Sequence, residues 1–266
     1  MTALTAPAAP IRFRAVRDSA LIAGRNLRVL RKNPGRMIFP LVQPVVLLVM
    51  FVSVFGNLAL AGHGAAGAYR QFLIPGIIIQ NATLTAPITG LALLRDASSG
   101  LADRFRSLPM SRAAVLAGRA ASDAVVFASQ VILLLAVGTL LGLRVSAGLP
   151  GYAAIAAITV VYGLALAVLS GWFALVIGDP ETAERILFFP AIALSFISSA
   201  FAPVSDLAGW MQPIARATPV TAAAAAIRAI AAGGPLGAPL AELGIWLAAL
   251  LLIAGFLAVR RWNAPK

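Results

Sequence analysis

Six long apolar segments, at residues 37–60, 71–94, 113–143, 152–177, 186–201 and 238–259, follow one another with little chain between them. A bilayer's hydrocarbon core is about 30 Å thick and takes roughly 20 apolar residues of helix to cross. Five of the six are long enough, and the fifth, at about 24 Å, falls short. The expected fold is therefore an all-α integral membrane protein of six transmembrane helices. Composition agrees: 61% of residues are hydrophobic and 11% charged, against roughly 25% charged in a soluble domain.

The stretch after the fifth segment, 202–239, carries Pro203, Pro213, Pro219, Gly233, Gly234, Pro235 and Pro239 between moderately apolar pieces. Proline interrupts helices, and irregular backbone at membrane depth survives only where protein or a watery cavity satisfies it. Short re-entrant helices dipping into the outer leaflet are expected between helices 5 and 6. Residues 11–32 read as an amphipathic helix. Val16, Ala20, Ala23, Leu27 and Leu30 share one arc, and Arg14, Arg17, Arg25 and Arg28 lie outside it. Such a helix suits the membrane interface or packing on its own protein. The chain thus divides into a cytoplasmic N-terminal segment with this helix, 1–36, and a transmembrane domain, 37–266.

The net charge is +12, but the basic residues sit between apolar runs rather than on one soluble face, so nucleic acid is not expected as a partner. Counting loops alternately, 17 lysines and arginines fall on the side holding both termini, and four, Arg70, Arg144, Arg216 and Arg228, fall on the other. Basic loops stay inside, so both termini are expected in the cytoplasm of a multi-pass protein of the inner (plasma) membrane. The first ten residues lack the basic-then-apolar pattern of a cleaved signal.

Catalytic constellations are missing. There is no cysteine, and the single histidine, His63, lies in a loop without a second ligand nearby. Neither Lys32 nor Lys266 follows a glycine, so there is no phosphate-binding P-loop. The chain reads as a transport protein and not an enzyme, with no cofactor of its own. Polar residues at membrane depth are the remaining candidates. Asn81, Thr85 and Thr89 recur every four residues on the second helix with Gln80 beside them, and Gln43 sits between Pro40 and Pro44 on the first. They line a substrate path or tie helices together. Arg119 and Asp123, one turn apart, form either a structural pair or a proton relay. Asp179–Pro180 reads as a helix N-cap with proline at the first position.

The cytoplasmic stretch Arg95 to Arg112 contains a short piece, bracketed by Gly100 and Pro109, in which Leu101, Phe105 and Leu108 share a face while Asp103, Arg104 and Arg106 lie elsewhere. Such a helix docks in a groove of a soluble partner or lies on the membrane surface. The order PGIIIQNA (75–82), LADRFRSLPMSRAAVLAGRAASD (101–123), GDPETAER (178–185) and FAPVSDLAGWMQPIARATPVTAAAAAIRAIAAGG (201–234) resembles an ABC-2 type permease, nearest to the daunorubicin-resistance type of drug and lipid exporter. The resemblance implies a half-transporter. Two permease chains, identical or homologous, assemble in membrane lipid with two cytoplasmic ATP-binding-cassette ATPase subunits, which hold the ATP and Mg. Leu101, Arg104, Phe105 and Leu108 would then form the coupling helix, and the cargo would be a hydrophobic or amphipathic drug or a lipid. A polysaccharide or glycolipid exporter and an ATP-independent secondary transporter are the alternatives. The only acids within or at the edges of spans, Asp123 and Glu242, lie near the ends rather than at depth, which argues against the last of these.

Overall fold

A computed structural model describes residues 34–58, 66–98 and 112–263. The expected interfacial helix at 11–32, the loop holding His63 and the segment Leu101–Pro109 lie outside them. All regular structure among the described residues is helical: α1 (Pro34–Leu58), α2 (Ala66–Ser98), α3 (Arg112–Leu140), α4 (Gly148–Ile177), α5 (Pro180–Ile197), a 3-10 turn (Val204–Asp206), α6 (Met211–Arg216), α7 (Pro219–Ala232) and α8 (Gly237–Asn263). Four stretches are long and apolar enough to cross a membrane, Gly67–Asp96, Ala117–Leu140, Gly148–Ile177 and Gly237–Leu257, while the apolar part of α1, Leu41–Val54, is shorter.

Helix boundaries follow local chemistry. Gly178, at φ 78°, ends α4 in the left-handed region, its N–H bonded to the Ala174 carbonyl. Asp179 then caps α5, accepting from the Thr182 N–H at 2.8 Å, with Pro180 first and Glu181 in the first turn. That cap starts α5 six residues before its apolar segment begins, giving 18 residues, or about 27 Å. Thr218 caps α7 in the same way, through the Thr221 N–H. The proline-rich stretch is broken into short helices, as its prolines dictate.

α2 packs most extensively on α4, which also meets α8, α3, α7 and α5; α1 lies on α2 and α3. Between two helices in lipid, association relies on close packing and hydrogen bonds, since the tails are as apolar as the side chains. The α2–α4 seam shows this. A Cβ added at Gly90 would stand 2.7 Å from the Gly171 nitrogen and 2.7 Å from the Ser170 Cβ; where α3 meets α4, one at Gly163 would meet the Phe127 ring at 2.6 Å. Alanines do the same for α7, where Ala222, Ala223, Ala224 and Ala226 are all buried among the neighbouring helices. Val46, Ile132, Phe189, Ile245 and Leu252 are 55–76% exposed. A surface this apolar suits lipid and not water.

Candidate functional site

α1, α2, α3 and α5 enclose a groove of about 180 Å³ whose polar lining is Gln43, Gln80, Asn81, Thr85 and Gln130. Four of the five residues proposed for a substrate path are thus brought together. Asn81 and Thr85, one turn apart on α2, both face α3: the Asn81 amide donates to Gln130 Oε1 at 3.1 Å and the Thr85 hydroxyl to the same oxygen at 3.2 Å. Gln80 and Gln130 are buried, whereas Gln43 reaches the groove from an exposed position on α1. Leu47, Ile77, Ile88, Phe188 and Ile192 supply apolar wall. Among the described residues no titratable side chain lines the groove, so its chemistry is that of neutral amides and hydroxyls set in hydrocarbon. Such a surface hydrogen-bonds a few polar groups of a mostly apolar guest.

Thr89 lies one turn beyond the lining. Its hydroxyl bonds the Ala86 carbonyl of its own helix at 2.8 Å, and its carbonyl accepts from Arg119 at 3.0 Å. Gln130 was not singled out in the sequence, although an amide between the apolar stretches AVVFA (124–128) and VILLLAV (131–137) is the available signal.

Arg119 organises the end of the bundle from which residues 99–111 leave. Its guanidinium bonds Asp123 at 3.2 Å, the pair expected from spacing, and also Asp96 of α2 at 3.0 Å. With the Thr89 carbonyl, this one side chain ties α3 to the last turns of α2. Nearby, exposed Arg95 and Glu184 approach at 3.5 Å and link α2 to α5, a pair whose water access makes it weak. At the start of α5, Thr182 donates to the Asp179 carboxylate and holds its pKa below the usual carboxylate value. The coupling residues Leu101, Arg104, Phe105 and Leu108 lie outside the described residues.

At the opposite end Arg228 of α7 reaches across to α2 and the turn after α5. It donates to the carbonyls of Phe72 at 2.9 Å, Ser199 at 2.7 Å and Ala200 at 3.2 Å, and to Ser199 Oγ at 3.2 Å, while lying 3.5 Å from the centre of the Phe72 ring. Gly76 admits this contact, since a Cβ there would collide with the Ala200 carbonyl. Tyr69 bonds the Phe201 carbonyl at 3.1 Å beside it. Counting charges had placed Arg228 simply among the outer arginines, because nothing in sequence spacing links it to residues some 30 and 156 positions away.

Residues 19–231 match the family described as ABC-2 type transporter. The chain is 29% identical over 260 residues to the daunorubicin resistance ABC transporter permease protein DrrB1 of Streptomyces coeruleorubidus, covering 97% of this chain and 88% of that protein. It is 30% identical over 213 residues to the probable doxorubicin resistance ABC transporter permease protein DrrC of Mycobacterium tuberculosis, covering 80% and 76%. A putative transport permease, ycf38 of Cyanophora paradoxa, is 25% identical over 209 residues, covering 77% and 71%.

Proposed function

The chain belongs to the ABC-2 type transporter family, and from that membership we propose that it exports a hydrophobic or amphipathic molecule, a drug or a lipid, using ATP hydrolysed on a separate subunit. The observation that carries the reading is the neutral polar groove, in which Gln43, Gln80, Asn81, Thr85 and Gln130 offer hydrogen bonds between apolar walls. Cargo with a few polar groups on a large apolar body is matched by such a lining. Two relatives bear names that refer to daunorubicin and doxorubicin resistance, which supports a drug as cargo.

In this reading two permease chains stand together with two ATP-binding-cassette ATPase subunits, which hold ATP and Mg. Both termini and the 99–111 segment face the cytoplasm, six helices cross the membrane, and α6 and α7 form the re-entrant outer segment. A reporter fused to the C-terminus and active only in the cytoplasm checks the orientation; activity only outside would reverse it. Leu101, Phe105 and Leu108 insert into the ATPase, with Arg104 at the rim, and Arg119 carries the displacement to α2.

Replacing Phe105 by Asp places a charge in that apolar contact, where desolvation costs several kcal/mol. The test is co-purification of the ATPase with wild type and Phe105→Asp, using Arg144→Ala on the other side as control. The expected result is an ATPase held by wild type and control but lost from Phe105→Asp. An ATPase retained by Phe105→Asp would remove the segment from this role, and no ATPase with the wild type would defeat the reading.

A further inference from the structure

A second cavity, of about 260 Å³, lies between α2, α4, α5 and the start of α7. On α2 its wall is Thr83, Ala86 and Pro87; Thr83 lies about 160° and Ala86 about 100–140° around the helix from Asn81 and Thr85, and the cavity shares no lining residue with the polar groove. Its floor is fully buried: Thr83, Ala86 and Tyr162 are at most 3% exposed. Its rim opens on the apolar outer surface of the bundle, with Phe173 41% and Ile186 51% exposed. The room comes from small side chains, Ala86, Ser170 and Ala191, together with the compact rings of Pro87 and Pro190, set among leucines.

Among the described residues three hydroxyls line the cavity, Thr83, Tyr162 and Ser170, and the two at the buried floor are partnered, Thr83 to the Ile79 carbonyl at 2.9 Å and Tyr162 to Thr83 at 2.9 Å. Water therefore finds little to bond, and apolar cavities of about 150 Å³ stay dry and accept apolar guests. Along α4 the lining runs from Tyr162 at mid-helix to Phe173, and along α5 from Leu194 near its end back to Ile186, both towards the Gly178–Asp179 turn. The opening thus faces one leaflet at hydrocarbon depth, and the apolar solvent there is the acyl chain.

We infer that this slot binds an acyl chain of a phospholipid from the leaflet on the side of the Gly178–Asp179 turn, as a lipid site separate from the polar groove. The chain enters between Phe173 and Ile186 and ends against Thr83, Ala86 and Tyr162. This inference rests on the membrane setting alone and not on ATP coupling.

The test uses the full chain in its native complex, in vesicles of phosphatidylethanolamine and phosphatidylglycerol carrying a phospholipid with a photoreactive diazirine near the end of one acyl chain. Cross-linked peptides are mapped after illumination. The expected result is labelling of the deep residues Ala86, Tyr162 and Leu166 as well as lipid-facing Phe189. Two plugs from different walls, Ala191→Phe and Leu169→Trp, should each abolish the deep labelling and leave that of Phe189 intact. Persistent Phe189 labelling also shows that a plugged variant is folded in the bilayer. Labelling confined to Phe189 in wild type would overturn the site, as would deep labelling unchanged by both plugs.

Discussion

At the residue scale two side chains carry most of what the structure adds. Arg228 makes four hydrogen bonds that join α7 to α2 and to the turn after α5. Replacing it by alanine leaves three carbonyls without this donor and should cost about 3 kcal/mol or more. Lysine should restore little, because a single ammonium cannot reach a fork of acceptors and stack on Phe72 as a planar guanidinium does. Thermal unfolding of the purified protein checks this; an Arg228→Lys protein as stable as wild type would contradict it. Gln130 is different. Its two bonds to α2 are worth about 0.6 kcal/mol each at membrane depth, so Gln130→Leu should lower stability only by about 1 kcal/mol. Drug export should nevertheless fall, since the acceptor that orients Asn81 and Thr85 in the groove is gone. Export measured at matched protein level tests it, and unchanged export would make Gln130 a packing residue only.

At the element scale, helix existence was legible because apolar runs and prolines are local signals. The start of α5 at Pro180 was readable too, since Asp179, Pro180 and Glu181 form a cap in adjacent positions. What joins one element to another was not. Asn81 and Thr85 could be seen as a stripe, but their shared partner lies 45–49 residues away, and Thr89, on the same spacing, turns to its own helix. The Arg119–Asp123 pair was visible at i, i+4, while Asp96, 23 residues away, was not. Close approach of helices was equally hidden, since Gly90 announces itself only through what stands opposite. Leucine at Gly90 would drive its Cβ into the Gly171 backbone and force α2 from α4, at about 1–3 kcal/mol or more. The expected outcome is a lower melting temperature and loss of export, and a protein with normal melting would show that the seam is looser than drawn.

At the scale of the whole molecule, a neutral groove on one side of α2 and an arginine-centred tie at the end from which residues 99–111 leave suggest one mechanical route. Displacement of that segment by an ATPase would move Arg119, hence the end of α2, and so the groove lined by Asn81 and Thr85. The most direct measurement of this account is uptake of fluorescent amphipathic compounds, drugs and labelled lipids, into inside-out membrane vesicles containing the chain and its co-purifying ATPase. Uptake should require ATP and both proteins, survive collapse of the proton gradient, and be lost in Phe105→Asp. Uptake by the chain without the ATPase, driven by an ion gradient and unaffected by Phe105→Asp, would contradict it.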